Sequence, residues 1–251
     1  MASLHPDVVF HLAAFSSPKL SWEEPESALL TNVELTLNVL EAVRAVAPEA
    51  VVVLVGSGQV YGAPSQLPVT EDAALRPGNP YAVSKAACDL LGAQYAEAYG
   101  LRVVRLRPFN HAGPAQLDEY VLSSLARQVA EAEAAGASEI VLRTGDVSSA
   151  RDFTDVRDIV EAYVLAASVQ PDAYNVCSGR SASVADLIEM LASESSLAVR
   201  HEVDPARLRR NDAPEMRGSH ERFTAATGWE PEIPLADTVR DTLDWWRARP
   251  R

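Results

Sequence analysis

The stretch that decides the fold is AVVVLVGSG, residues 50–58. Six consecutive apolar residues that end at two glycines are typical of a strand buried on both faces of a parallel sheet. Residues 7–12 and 101–106 are predicted to form buried strands as well. Small or polar residues follow all three runs, so the chain predicts three strands that each enter a loop at the edge of the sheet.

Helical patterns separate these strands. Apolar residues at helical spacing predict a helix over 25–46, and a second helix over 81–99 that ends at Gly100. In the second half of the chain the patterns predict helices over 119–135, 156–167 and 235–247, and strands over 140–143 and 174–177. Ser183 and Asp186 resemble a capping box, which predicts a further helix that begins there and runs through Leu191. Strands alternating with helices predict an α/β fold with a parallel sheet.

Composition narrows the classes of function. A net charge of −13 over 251 residues argues against a general binder of nucleic acid or of membrane surfaces. Cys88 and Cys177 form no metal-ligand spacing, so we expect two reduced core cysteines and no metal site. The chain opens with no signal-peptide pattern, and no apolar run reaches the ~18 residues of a membrane span. We therefore expect a cytoplasmic protein.

Tyr81 and Lys85 are the residues most informative about function. Four residues is about one helical turn, so the phenol and the ammonium are expected on one helix face. A neighbouring ammonium favours the phenolate, which predicts a Tyr81 pKa below its ordinary ~10 and proton transfer near neutral pH. The alternative interpretation is an amphipathic helix with an ordinary surface lysine.

Several motifs follow successive strands, where open parallel sheets bind ligands. They are HLAA at residues 11–14, GSGQVYG at 56–62, Tyr81 with Lys85, and RPFNHAGP at 107–114. Together with RDFTDVRDI at 151–159 and DPARLR at 204–209, they resemble the extended short-chain dehydrogenase/reductase family, which includes the NAD-dependent epimerases and dehydratases of nucleotide sugars. The second half of this set is similar to the GDP-sugar branch.

The resemblance implies an interleaved Rossmann-type fold. Residues 1–110 and 152–179 would form the NAD(P)-binding part, and residues 111–151 and 180–251 a smaller nucleotide-sugar-binding lobe. It also implies a homodimer built through the two long helices around Leu37 and Leu91.

The implied activity is NAD(P)H-dependent reduction of the 4-keto group of GDP-4-dehydro-6-deoxy-D-mannose to GDP-D-rhamnose. Tyr81 would protonate the oxygen at C4, Lys85 would bind the nicotinamide ribose, and Ser57 would hydrogen-bond the reacting oxygen. A serine between two glycines is also an ordinary turn residue, which is the alternative for Ser57. The implied cofactor contacts are Leu12, Ala13, Ala14, Asn32, Val55, Tyr81, Lys85, Pro108, Asn110 and His111.

The implied substrate contacts are Ser57, Gln59, Asn110, Arg127, Arg151, Arg209 and Asp212. Arginines suit the GDP phosphates because they form charge-assisted hydrogen bonds, although each arginine alone could be a solvated surface charge. In the family's dehydratases a glutamate base stands where this chain has Gln59, and a neutral carboxamide cannot act as that base. Reduction is therefore favoured over dehydration, with another dehydratase or epimerase as the alternative.

The family normally begins with a strand and a Gly-x-x-Gly-x-x-Gly turn that holds the cofactor pyrophosphate. This sequence has no such pattern near its start and enters at what resembles the fourth strand. We expect a fold that lacks its first strands and a fourth strand exposed as a sheet edge. Two explanations compete: an incomplete sequence of a full enzyme, or a short protein that serves as a non-catalytic binding or scaffold subunit.

Overall fold

The computed structural model describes residues 5–208 and 213–249. The strands are β1 (Val8–His11), β2 (Val51–Val55), β3 (Arg102–Pro108), β4 (Asn110–Ala112), β5 (Glu139–Thr144), β6 (Ala150–Asp155), β7 (Ala173–Val176), β8 (Ser181–Ser183), β9 (Ala198–Val203) and β10 (Glu215–Met216). The α-helices are α1 (Pro25–Val46), α2 (Pro80–Tyr99), α3 (Val121–Ala134), α4 (Val156–Leu165), α5 (Val184–Ser193), α6 (Glu221–Thr227) and α7 (Leu235–Arg247).

The central sheet is parallel, with the strand order β1-β2-β3-β7. Successive residues of β2 face opposite sides of it, as the pleat of a strand requires. Val52 and Leu54 pack with α1 and α2, whereas Val51 and Val53 pack with α4 and α6. Both faces are therefore covered by helices, which explains why the strand sequence is continuously apolar. The predicted α/β fold is confirmed.

The second half of the chain builds its own hydrophobic core. Helices α3, α5 and α7 contribute Leu125, Leu191 and Leu243, and Leu142 of β5 packs among them. Strand β5 pairs in parallel with β9, and β6 lies between β4 and β10 while also pairing with β8. This core lies beside the sheet edge where the predicted motifs emerge, because β4 directly follows β3.

Strand β1 lies at the edge of the central sheet as the structure describes it, paired with β2 only. Phe10 and Leu12, at the end of this strand and just beyond it, are 43% and 56% exposed. An apolar strand is thus exposed at the sheet edge, as the sequence predicted. Within residues 5–208 and 213–249, no helix combines the length and hydropathy that a bilayer span requires.

Most predicted elements occur within two residues of their expected bounds. Helix α7 spans the predicted residues, and the capping box of Ser183 and Asp186 is formed at the start of α5. Strand β3 continues to Pro108, beyond the apolar run. Local sequence did not predict strands β4, β6, β8, β9 and β10, because they are short or polar and gain their pairing from the tertiary fold.

Candidate active site

Ser57 reaches its place through a close contact between two strands. Gly56 follows β2, donates its N–H to the carbonyl oxygen of Leu106 at 2.7 Å, and leaves so little room that an added Cβ would lie 2.8 Å from that oxygen. Ser57 then caps a 3-10 turn, its Oγ accepting a hydrogen bond from the N–H of Gln59 at 3.2 Å. Ser57 is therefore a turn residue, as the alternative interpretation predicted.

The same hydroxyl also reaches the catalytic candidate on α2. Helix α2 begins at Pro80, after Asn79, whose Oδ1 accepts a hydrogen bond from the N–H of Ala82 at 2.8 Å. Tyr81, in the first turn, is 8% exposed, and its phenol interacts with the side chain of Ser57. The structure thus brings together two of the three predicted catalytic side chains, from the end of β2 and the start of α2.

The expected low pKa of Tyr81 is not found. Burial raises the pKa of Tyr81 to about 12, and the hydrogen bond from Ser57 lowers it by less than burial raises it. The prediction was wrong because removing the phenolate from water costs more than its neighbours return. At neutral pH the phenol therefore keeps its proton, so Tyr81 can act as an acid.

Lys85 is buried, so the interpretation of an ordinary surface lysine is wrong. It is 7% exposed, its Nζ donates to the carbonyl oxygen of Val55 at 2.9 Å, and burial lowers the Lys85 pKa. An ammonium has three donors, and the described part of the chain accepts only one of them. The other two donors are left for acceptor oxygens of a ligand.

Asn32 supports the site rather than lying on a half-exposed helix face. It is 2% exposed; its Oδ1 accepts from the N–H of Phe15 at 2.7 Å, and its Nδ2 donates to Ser84 Oγ at 2.8 Å and to the Phe15 carbonyl oxygen at 3.1 Å. Its carboxamide therefore ties the loop after β1 to α2. Direct contact between Asn32 and a cofactor stays a prediction.

The remaining cofactor candidates lie near the carboxyl ends of parallel strands. Leu12 and Ala13 are exposed and Ala14 is half-buried in the loop after β1, while Val55 and Pro108 end β2 and β3. Parallel pairing of β1, β2 and β3 brings these ends to one edge of the sheet. Small, accessible side chains after β1 leave the backbone open to a ligand.

Asn110 and His111 form the start of β4, which pairs in parallel with Phe153 and Thr154 of β6. Asn110 is half-buried and His111 is exposed. Nδ1 of His111 lies 3.1 Å from the carbonyl oxygen of Phe109. Because a carbonyl oxygen only accepts, Nδ1 carries the proton and Nε2 keeps a lone pair for a ligand donor.

The structure describes two of the three predicted substrate arginines, Arg127 and Arg151. Arg127 forms ion pairs with Asp118 and Glu131 and lines a cavity of about 290 Å³ with Trp245 and Trp246, a lining that contains none of the three catalytic candidates. Arg151 lies on β6, where its Nη1 donates to the neighbouring carbonyl oxygen of Ala150 at 2.7 Å. Arg209 and Asp212 lie outside the described residues.

Two further tyrosines interact with Tyr81 and were not predicted from the sequence. Tyr163 of α4 and Tyr120, just before α3, both interact electrostatically with the Tyr81 phenol. Burial raises the pKa of each. They are far from Tyr81 in the sequence and carry no motif, so no local signal could have found them.

A buried ion pair holds α2 against the sheet. Nε and Nη2 of Arg107 donate to the two carboxylate oxygens of Asp89 at 2.8 and 2.9 Å, and Nη1 donates to the hydroxyl of Tyr61 at 2.8 Å. Asp89 lies one turn beyond Lys85, and Tyr61 ends the turn that Ser57 caps. One guanidinium thus connects both elements that carry the catalytic candidates.

Comparison with known proteins gives consistent matches. A family model described as GDP-mannose 4,6 dehydratase matches residues 1–242. A GDP-6-deoxy-D-mannose reductase of Pseudomonas aeruginosa is 40% identical over 98% of this chain and 82% of its own. A UDP-glucose 4-epimerase of Mycolicibacterium smegmatis is 31% identical over 98% and 78%.

Solved structures agree with these matches. The structure of RMD from Pseudomonas aeruginosa complexed with NADPH has a TM-score of 0.91 and 38% identity, over 98% of this chain and 83% of its own. A Thermus thermophilus UDP-glucose 4-epimerase in complex with NAD has a TM-score of 0.85 and 31% identity, over 97% and 78%.

Proposed function

Because the chain belongs to the GDP-mannose 4,6 dehydratase family within the nucleotide-sugar epimerases and dehydratases, we propose that it is an NAD(P)H-dependent reductase. The proposed substrate is GDP-4-dehydro-6-deoxy-D-mannose, whose 4-keto group is reduced to give GDP-D-rhamnose. The observation that carries the proposal is the interaction of the Ser57 side chain with the buried, protonated phenol of Tyr81, on the helix that also carries buried Lys85. The identity of 40% to a GDP-6-deoxy-D-mannose reductase supports this choice of substrate.

The reduction adds a hydride at C4 and a proton at its oxygen. When bound, the reduced nicotinamide supplies the hydride. Tyr81 holds the proton, because burial keeps its phenol neutral, and donates it to the oxygen as negative charge develops there. Ser57 hydrogen-bonds the same oxygen and keeps it within reach of the phenol. Lys85 directs its free donors toward the ribose hydroxyls and so orients the nicotinamide.

The dinucleotide is NADPH or NADH. Matched proteins bind both kinds: the Pseudomonas aeruginosa structure contains NADPH and the Thermus thermophilus epimerase contains NAD. The residues proposed for binding are those at the strand ends, with Asn110 and His111 beside them. The two-part division, a cofactor-binding part over 1–110 and 152–179 and a sugar-binding lobe over 111–151 and 180–251, belongs to this proposal.

Dehydration is the runner-up, because the matching family model is named for it. Gln59 argues against dehydration, because a neutral carboxamide is not a base that can remove the proton from C5. Epimerisation is the second alternative, supported by the 31% identity to a UDP-glucose 4-epimerase. An epimerase returns its cofactor to the starting state, whereas a reductase consumes one reduced nicotinamide for each sugar.

A non-catalytic binding or scaffold role is the alternative from another class. It predicts retention of the fold without useful affinity for the dinucleotide. A titration with NADPH, followed by nicotinamide fluorescence, separates the two: no binding up to millimolar cofactor would overturn the enzyme proposal for this chain.

We also propose a homodimer that forms through α1 and α2. These two helices pack together, and each carries two exposed apolar side chains seven residues apart. They are Leu30 and Leu37 on α1 and Val83 and Leu90 on α2, with exposed fractions between 38% and 60%. Large exposed apolar patches are typical of interaction sites, and these four side chains are the residues proposed to form one. The cytoplasmic location stays a prediction from the sequence.

The deciding experiment incubates the purified chain with GDP-4-dehydro-6-deoxy-D-mannose and either NADH or NADPH. We expect stoichiometric oxidation of one cofactor and formation of GDP-D-rhamnose, identified by NMR of the product. GDP-mannose offered with the oxidised cofactors tests dehydration, and UDP-glucose tests epimerisation. Conversion of either in place of the keto sugar would replace the proposed reaction.

A further inference from the structure

The cap of helix α2 fixes the orientation of a second carboxamide. Oδ1 of Asn79 accepts the free N–H of Ala82 at 2.8 Å, and Nδ2 of Asn79 donates to Oε1 of Gln59 at 3.1 Å. A helix N-terminus offers only N–H groups, so the Asn79 oxygen must face the helix. The amide nitrogen of Asn79 therefore faces Gln59. Because that nitrogen only donates, the Gln59 carboxamide must accept the hydrogen bond with its oxygen.

The nitrogen of the Gln59 carboxamide is thereby left for another partner. Nε2 donates to no group in the described part of the chain, and Gln59 is half-buried. The backbone N–H of Gln59 donates to Oγ of Ser57, whose side chain interacts with the Tyr81 phenol. The carboxamide therefore belongs to the same turn as the reacting pair, and its two N–H donors remain for a ligand oxygen.

We propose that Asn79 is a positioning residue that makes Gln59 a hydrogen-bond donor to a sugar oxygen. The consequence for catalysis rests on the proposed function, whereas the orientation itself does not. A donor in this position selects sugars with an acceptor oxygen at the contacted, non-reacting carbon, because an analogue without it leaves a desolvated N–H unpaired. An oxygen that the reaction does not change accepts equally in the ground and transition states, so the contact acts on KM.

The orientation is tested on the wild-type chain by NMR of its side-chain amides. Loss of resonances in Asn79→Asp and Gln59→Met assigns the two pairs. We expect the Nδ2 protons of Asn79 to exchange slowly with water and the Nε2 protons of Gln59 to exchange quickly. The reverse order, or fast exchange of both, would overturn the proposal whether or not the chain turns over the sugar.

The consequence is tested with Asn79→Asp. A carboxylate still caps α2, but it offers Gln59 only acceptors, so the Gln59 carboxamide must turn its nitrogen to position 79 and its oxygen to the ligand. We expect KM for the keto sugar to rise about 10-fold and kcat to change by less than about 2-fold, the effect of losing one hydrogen bond. An unchanged KM would contradict the proposal.

Two further variants separate orientation from charge and from helix stability. Asn79→Ser keeps a capping oxygen but is too short to reach Gln59, so we expect an unchanged melting temperature and a KM between the other two values. In a Gln59→Met background, Asn79→Asp should have no further effect on KM. A full effect there would show that the added charge acts directly, which would overturn the relay through Gln59. If the wild type consumes no keto sugar with either cofactor, the proposed function fails, while the exchange measurement still decides the orientation.

Discussion

The guanidinium of Arg107 holds both carboxylate oxygens of Asp89, at 2.8 and 2.9 Å, and both residues are at most 5% exposed. The same carboxylate accepts a bond from Arg105 at 2.9 Å. Two arginines of β3 thus converge on one aspartate of α2, the helix that carries Tyr81 and Lys85. A buried charge is tolerated because its partners satisfy it, so removing one partner is costly.

Asp89→Asn should destabilise the chain by about 3–5 kcal/mol, because it leaves the buried Arg107 charge uncompensated. The free energy of unfolding in urea measures this. Asp172→Asn is the matched control, since Asp172 also pairs with Arg105, at 3.4 Å, but has a side chain that is 50% exposed. We expect less than about 1 kcal/mol there. Equal losses in the two variants would mean that burial of the pair contributes nothing.

Tyr81→Phe should lower kcat about 10²–10⁴-fold, because the acid that protonates the reacting oxygen is lost. The melting temperature should change little, since the ring and its packing remain. Tyr99→Phe, at a residue that is 52% exposed on the last turn of α2, is the control and should retain full activity. A Tyr81→Phe variant with near-normal kcat would remove Tyr81 from its role.

The raised pKa of Tyr81 predicts a specific dependence on pH. With a pKa of about 12, the phenol stays protonated between about pH 6 and 10, so its ionisation should cause no alkaline fall of kcat in that range. A fall near neutral pH that disappears in Ser57→Ala or Tyr81→Phe would favour the low pKa predicted from the sequence.

The raised pKa of Tyr81 also links stability to pH. The folded-state pKa lies above the ordinary ~10 of an unfolded tyrosine, so the contribution of Tyr81 is complete below about pH 10 and is lost as the pH rises toward 12. Urea unfolding between about pH 9 and 12 should show a steeper loss of stability for the wild type than for Tyr81→Phe, because only the wild type must give up this proton on unfolding. Parallel curves for the two proteins would contradict this.

Gly56→Ala should destabilise the fold by about 1–3 kcal/mol and displace Ser57, because its Cβ would lie 2.8 Å from the Leu106 backbone oxygen. We expect kcat to fall more than KM changes. Gly78→Ala is the control, since nothing lies within 4 Å of an added Cβ there. Urea unfolding and steady-state kinetics of both variants test the prediction, and a fully active Gly56→Ala variant would refute it.

The proposed dimer predicts that Leu90→Glu yields monomers, because a charge would be buried in the α1–α2 interface. Light scattering after gel filtration measures the mass. Val164→Glu is the control: Val164 is 61% exposed and Leu90 60%, but Val164 lies on α4, outside the proposed interface. A wild type that is monomeric at all concentrations would end the proposal.

Local sequence determined the central sheet and the long helices. The apolar side chains at 51–55 can all be buried only if both faces of the strand are covered. The Asn79 cap and Gly100 are local signals that by themselves mark the two ends of α2. The family resemblance also selected Ser57 and Tyr81, whose side chains interact in the structure, and Lys85, which is buried on the same helix as Tyr81.

Tertiary structure decided the electrostatics of the site. Sequence spacing placed Lys85 on the same helix face as Tyr81, but it could not show that the ammonium donates to the carbonyl oxygen of Val55 or that the phenol is almost entirely removed from water. The pKa of Tyr81 depends on desolvation by the elements packed around it and on charges such as that of Tyr120, which no local pattern connects to Tyr81. Helix periodicity is a property of neighbours in the chain, whereas the protonation state of a buried group is a property of its neighbours in space.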